Sequence, residues 1–186
     1  MSDPKNDDLD FTKLPQVRPE PSAEKIASVR AEASTVSPQL ARTGFYVAMG
    51  RRAGDVVVPR NGERHTILVV EDDKTMQELV GEILATARFL TRFARNRDEI
   101  NVEFNRPPLP DLVLLDVSLP DADGFAILER IRGNPRIAKM PVVMMTGKSE
   151  VTDVARGLAL GADGYVTKPF DINGLVNAVN SVLGIA

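Results

Sequence analysis

From Thr66 onward, five apolar runs alternate with five segments of helical period, and this alternation restricts the fold more than any other feature. The runs are Thr66 to Val70, Phe89 to Ala94, Leu112 to Leu115, Pro141 to Met145 and Gly164 to Thr167. Most are almost unbroken stretches of aliphatic and β-branched residues, as expected of strands buried on both faces of a parallel sheet. Between them Met76, Leu79, Val80, Ile83, Leu84 and Ala87 recur at helical spacing, with Asp73 placed as the cap. Asn96 to Phe104 reads as a short helix, ended by Arg106-Pro107-Pro108-Leu109-Pro110. Phe125, Leu128 and Ile131 mark a third helix, closed by Gly133-Asn134-Pro135. Val151, Val154, Ala155, Leu158 and Ala159 mark a fourth, stopped by Gly161, and Ile172 to Leu183 a fifth. Five βα units predict an α/β fold: a doubly wound parallel sheet of five strands with helices on both faces.

The first run stops abruptly at Glu71, Asp72 and Asp73. Ligands of open α/β sheets sit outside the carboxyl ends of the strands, so acids crowded there call for a hard cation. A charged turn capping the next helix is the plain alternative. The other strands sharpen the choice, because the third ends at Asp116, the fourth at Thr146 and the fifth at Lys168. With the flavodoxin-like order 2-1-3-4-5, the switch point falls between the first and third strands and Asp72 faces Asp116. Crowded carboxylates repel unless a cation neutralises them, and an oxygen-only donor set favours Mg²⁺ over zinc or copper. Carboxylate, divalent cation, hydroxyl and ammonium together are the parts needed to move a phosphoryl group onto the carboxylate.

Residues 1 to 63 read differently. They are acidic at first, punctuated by Pro4, Pro15, Pro19, Pro21 and Pro38, and poor in large apolar residues. Such a stretch cannot bury enough surface to fold alone, so a largely disordered, flexible extension is expected before a domain spanning 64–186, the alternative being an interaction arm in which Phe45 to Arg60 packs on that domain or on a partner. Within it a short helix from Ser22 to Ala33 is allowed, with Ile26 and Val29 sharing a face. Phe45-Tyr46-Val47 and Val56-Val57-Val58, flanking Gly50 to Gly54, could form a hairpin. The formal charge of −3 argues against non-specific nucleic-acid binding. The absence of cysteine removes disulfide, thiolate-metal and thiol chemistry. With neither a membrane-length apolar run nor a basic leader, a cytoplasmic location is expected.

ILVVEDD, LVLLDVSLPDADGFAIL, VVMMTG and GADGYVTKPF occur in the order that resembles the receiver domain of bacterial response regulators, over residues 66 to 186. The resemblance implies that Asp116 is the phosphoacceptor and that Glu71 and Asp72 form an acidic pocket. Asp72, Asp116 and the backbone carbonyl of Ser118 would hold Mg²⁺, Thr146 would close onto the phosphoryl group, and Lys168 would pair with it. The Lys168-Pro169 bond is often cis in this family. Tyr165 stands at the family's two-state aromatic switch, coupled to movement of Thr146. Gly147 replaces a frequent alanine or serine and keeps the site accessible, whereas Ser118 and Lys148 stand at positions that tune the lifetime of the acyl phosphate. The lone histidine, His65, precedes the first strand and is a poor phosphodonor candidate.

The resemblance further implies a histidine kinase or histidine phosphotransfer protein as donor and a downstream protein target. A homodimer through the face formed by the fourth helix, fifth strand and fifth helix of the repeat is one expected form. No output domain follows in this sequence, so output through phosphorylation-dependent protein contacts is expected, with no nucleic-acid or membrane partner. Self-phosphorylation and self-dephosphorylation at Asp116 would be the only chemistry. Two other readings stand beside this one: a scaffold indifferent to phosphorylation, and a Mg²⁺-dependent phosphatase of the haloacid-dehalogenase type. The phosphatase reading wants an acid two residues after the nucleophile, where this chain has Ser118.

Overall fold

A computed structural model describes residues 9–14, 20–47, 56–147 and 150–185. Its elements are α1 (Ala23–Thr43), β1 (Phe45–Val47), β2 (Thr66–Val70), α2 (Lys74–Thr86), β3 (Leu90–Ala94) and α3 (Arg97–Asn105). They continue as β4 (Leu112–Asp116), α4 (Gly124–Gly133), β5 (Val142–Thr146), α5 (Val151–Leu160), β6 (Gly164–Thr167) and α6 (Ile172–Leu183). The sheet runs β1-β6-β5-β4-β2-β3, so β2 to β6 reproduce the expected order and β1 adds a sixth strand beyond the expected five. All neighbours are parallel except β1, which pairs antiparallel with β6.

Every residue of β2, β4 and β5 is buried, which is why these strands carry no alternating polar face. Their side chains, with those of β6, divide between two cores. Leu68, Val70, Val113, Leu115, Val142, Met144 and Tyr165 lie with apolar residues of α3, α4 and α5. Ile67, Val69, Leu112, Leu114, Val143, Met145 and Val166 lie with those of α2 and α6. Side-chain caps start the helices where the sequence places acids or amides. Asp73 accepts from Met76 N at 2.7 Å, Asn96 from Glu99 N at 2.9 Å, Asp123 from Phe125 N at 2.8 Å and Asp171 from Gly174 N at 2.9 Å. Gly161, at φ 98°, stops α5 in the left-handed conformation that glycine adopts without a Cβ penalty.

The extension departs most from expectation, for it supplies a long helix and a strand instead of a largely disordered tail. Ser22 caps α1 through Lys25 N, and the helix continues ten residues past Ala33 to Thr43. Its apolar stripe, Ile26, Val29, Ala33, Val36 and Leu40, packs on α5, with the last three fully or almost fully buried. A helix that is marginal alone is thereby stabilised by a partner surface. Pro38 lies inside the helix with its residue exposed, so packing of the opposite face carries α1 past the missing N–H.

Nor do the two small apolar clusters form a hairpin. Phe45–Val47 pairs with β6, and Val57 lies near the end of α6, donating its N–H to Leu183 O at 2.9 Å. The expected turn, Gly50 to Gly54, lies outside the described residues. Further upstream, Leu9 and Phe11 are buried, and Phe11 stacks on Phe104 of α3 at 4.8 Å between ring centroids. The Arg97 Nη1 group fixes the end of that segment by donating to Leu14 O at 2.8 Å.

Candidate functional site

The carboxyl ends of β2, β4, β5 and β6 bring together the residues that the sequence spaces widely. Glu71, Asp72 and Asp116 each present a carboxylate oxygen, and these oxygens lie within 4.8 Å of one another. Glu71 and Asp116 are buried while Asp72 is exposed, so the cluster opens to solvent on one side. Lys168 enters from the end of β6. Its Nζ donates to Glu71 Oε2 and, at 2.8 Å, to Asp116 Oδ2. The Lys168–Pro169 peptide is cis.

Backbone groups fix the same carboxylates. Ser118 N donates to Asp116 Oδ1 at 3.1 Å, and Asp73 N to Glu71 Oε1 at 3.3 Å. The Glu71 main chain is held by its own N–H to Ala94 O at 3.0 Å and by Gln77 Nε2 donating to its carbonyl at 2.7 Å. Thr146 is buried at the end of β5, and its carbonyl accepts from Lys168 N at 2.7 Å, so hydroxyl and ammonium sit on adjacent strand ends. Gly147, the next residue, has open space where a Cβ would lie. Lys148 lies outside the described residues.

Burial pushes the Glu71 carboxyl above its ordinary range; the Lys168 hydrogen bond opposes this and the nearby Asp116 charge adds to it. Burial also works against the charged form of Lys168, but hydrogen bonds to Asp116 and Glu71 outweigh it and raise the lysine pKa. Lys168 is therefore an ammonium at neutral pH. One ammonium among three carboxylates leaves the cluster in need of further positive charge when all are ionised. Its donors are all oxygens and one side is open, which fits a hard, partly hydrated cation such as Mg²⁺.

Two glycines shape the site without announcing themselves as functional in the sequence. A Cβ on Gly124 would lie 2.2 Å from the Asp116 carbonyl oxygen, so the first turn of α4 can approach β4 only without one. A Cβ on Gly157 would lie 1.7 Å from the Tyr165 hydroxyl. Through that gap the buried Tyr165 reaches across to α5 and donates to Val154 O at 3.2 Å. A glycine at an interior helical position with no turn beside it is the one sequence signal that marks such a gap.

The face on which homodimerisation is expected consists of α5, β6 and α6. Here β1 occupies the edge of β6 and α1 covers α5, so that face is not open to a second copy in this arrangement.

Residues 67–180 match the family model of the response regulator receiver domain, more than half of the chain. The chain belongs to the response regulator receiver family. Among similar proteins are the phosphate regulon transcriptional regulatory protein PhoB of Escherichia coli K12 and the DNA-binding dual master transcriptional regulator RpaA of Synechocystis. PhoB is 38% identical over 117 residues, covering 63% of this chain and 51% of PhoB. RpaA is 36% identical over 118 residues, covering 63% of this chain and 48% of RpaA. The chain thus spans about half the length of the curated relatives it matches.

Solved receiver domains superpose on it. That of a signal transduction histidine kinase from Syntrophus aciditrophicus has a TM-score of 0.58 and 36% identity, covering 64% of this chain and 90% of its own. The non-phosphorylated HemR receiver domain from Leptospira biflexa has a TM-score of 0.59 and 29% identity, covering 66% of this chain and 97% of its own. Since the family match begins at residue 67, α1 and β1 lie outside it. The fold is the flavodoxin-like receiver fold of two-component signalling. No helix among the described residues is long and apolar enough to cross a membrane.

Proposed function

We propose that this receiver accepts a phosphoryl group on Asp116 from a histidine kinase or a histidine phosphotransfer protein, and that it signals through protein contacts that depend on the modification. The observation that carries this reading is the Asp116 carboxylate at 2.8 Å from the Lys168 ammonium, beside Glu71 and Asp72 and flanked by Thr146. An Asp116 oxygen attacks the phosphorus of a donor phosphohistidine protonated on its other ring nitrogen, the P–N bond breaks with its electron pair passing to the ring, and the products are an acyl phosphate and a neutral imidazole. Lys168 neutralises charge on the transferred oxygens, and the Thr146 hydroxyl donates a hydrogen bond to one of them. Asp72, Asp116 and the Ser118 carbonyl would hold Mg²⁺, whose contribution when bound is charge neutralisation on the same oxygens. The only turnover is then formation and hydrolysis of the chain's own acyl phosphate.

Partners are proteins in this reading, and the location is cytoplasmic, where phosphodonors of this kind act on soluble acceptors. The formal charge of −3 speaks against nucleic-acid contact by this span itself. RpaA is a DNA-binding regulator by its name, and this chain matches about half of that protein's length.

The test is incubation of the full chain with Mg²⁺ and acetyl phosphate, read by intact mass, beside Asp116→Asn. A single phosphoryl adduct lost in the variant and on removal of Mg²⁺ is expected. A folded wild-type chain that binds Mg²⁺ and takes no adduct would instead favour a scaffold indifferent to phosphorylation.

A further inference from the structure

The extension does more than cover an edge, because it touches the strand that carries Lys168. The Gly44 carbonyl, between α1 and β1, accepts from both Thr167 N at 2.9 Å and Thr167 Oγ1 at 3.3 Å. Thr167 immediately precedes Lys168 and lies in register with Thr146 of β5. One residue therefore stands between the arm and two of the groups aimed at Asp116.

A second contact lies on the face of the sheet. Tyr46 is the register partner of Tyr165, and cross-strand partners project to the same side. Tyr46, Tyr165, Ile26 and Val29 accordingly belong to one apolar cluster. With the arm docked, Tyr165 is overlaid by Tyr46 and α1 and its hydroxyl is held on Val154 O. A swing of Tyr165 away from the core needs the volume that the arm fills.

We propose that the α1–β1 arm is an intramolecular ligand of the α5–β6 face whose docking is positively linked to phosphorylation of Asp116. The inference rests on Asp116 as phosphoacceptor. Its sign follows from shared ordering. A phosphoryl group brings charge near −2 and draws the Lys168 ammonium and Thr146 hydroxyl to one point, which fixes the carboxyl ends of β5 and β6. Docking of β1 fixes the same end of β6 through Gly44. Whichever event comes second finds the strand already ordered and loses less conformational entropy. At equilibrium with the donor, reciprocity then requires that a docked arm favour the phosphorylated form by the same factor that the phosphoryl group tightens the arm.

The chain's connectivity favours this occupant over another copy's arm. β1 is antiparallel to β6, so Val47 and the start of β2 lie at the same end of the sheet. Four strand steps of ~4.8 Å separate β1 from β2, about 20 Å. The connection 48–65 can reach at most about 60 Å. The gap is within reach of the connection, so the chain's own arm meets this face without a second molecule. A protein partner that uses this face has to displace the arm.

The experiment compares hydrogen exchange in the full chain before and after phosphorylation by acetyl phosphate and Mg²⁺, with the adduct counted by mass. Amides of 44–47 and 164–167 should exchange about fivefold or more slowly in the adduct, a coupling at the lower end of the usual range, with those of β3 unchanged. In parallel, Leu40→Glu, which drives the arm off α5, should lower phosphoryl occupancy at sub-saturating donor by a similar factor. An adduct that forms with no slowing at 44–47 overturns the inference and leaves the phosphoacceptor reading intact. Failure of the wild type to form any adduct overturns both. Should Leu40→Glu not fold, the exchange comparison in the wild type decides alone.

Discussion

The two edges of the sheet are finished in opposite ways. β3 ends one side uncovered, with all but its last residue at least partly accessible and Phe93 37% exposed. Arg92 folds over its outer neighbourhood, pairing with Glu103 and donating from Nη1 to Pro108 O at 2.7 Å. A short edge strand dressed with a charged side chain is one of the ordinary defences against unwanted pairing. β6 has no such dressing. Gly164, Tyr165 and Val166 are all buried, with the antiparallel β1 along their outer edge and α1 packed in the same cluster as Tyr165. The contrast teaches that β6 carries the sequence of an interior strand, and that α1 and β1 make it one. It also locates adaptability: an edge protected by a removable segment can be regulated, whereas an edge protected by its own side chains cannot.

Substitutions on either side test the contrast, and the largest effect should come from the covered edge. Val36→Asp places a carboxylate where the side chain is almost fully buried against α5, and should weaken arm docking by about 3 kcal/mol or more. Trypsin cleavage after Arg30 and Arg42 should then accelerate at least tenfold, since cleavage follows the population of the open form. Phe93→Ser on the open edge, where the ring is already 37% exposed, should move the denaturant midpoint by the equivalent of about 1–2 kcal/mol. Equal sensitivity of the two edges would remove the distinction.

A pair of glycines sharpens it at intermediate size. Gly157→Ala puts a methyl group into the buried Tyr165 hydroxyl and should cost about 1–3 kcal/mol. At Gly81 in α2 the methyl would meet only the ring tip of Phe93, 2.9 Å away on a side chain that can swing toward solvent. There the helix propensity gained, about 1 kcal/mol, offsets the contact, so Gly81→Ala should be neutral or slightly stabilising in urea unfolding.

The smallest effect is spectroscopic. Burial pushes Tyr46 up to about 12, helped by its hydrogen bond to Glu32 Oε1 at 2.8 Å. A raised acid favours the docked arm at any pH below the ordinary tyrosine value. The advantage then fades as pH climbs from that value toward about 12. The chain has two tyrosines and no tryptophan, so absorbance at ionisation is easily assigned. In Val36→Asp the Tyr46 transition should fall back toward the ordinary range. An unchanged transition would mean that Tyr46 is held by something besides the docked arm.

Most of the site could be read from the sequence because each group is the last word of its own strand. Glu71, Asp72, Asp116, Thr146 and Lys168 follow apolar runs directly, and parallel pairing brings all such ends to one side. The βα boundaries were legible for the same local reasons: Asp73 and Asn96 as caps, Gly161 as a stop. The arm was not. Pro38 reads as a terminator, although Ala33, Val36 and Leu40 carry the face of Ile26 and Val29 onward at spacings of three and four. Phe45–Val47 contains nothing that points to Gly164–Val166, more than a hundred residues away. Non-local pairing of so short a strand leaves no periodic trace, and the roles of Gly124 and Gly157 are visible only once their neighbours are in place.

The family boundary at residue 67 is a natural place to trim this chain for the bench, and the antiparallel seam at β6 makes it a poor one. A fragment begun there keeps every group around Asp116 but loses the shield over Tyr165 and the apolar flank of α5. Bared main-chain donors and acceptors beside that greasy flank are an adhesive surface. Clumping by such a fragment would describe the cut and not the protein.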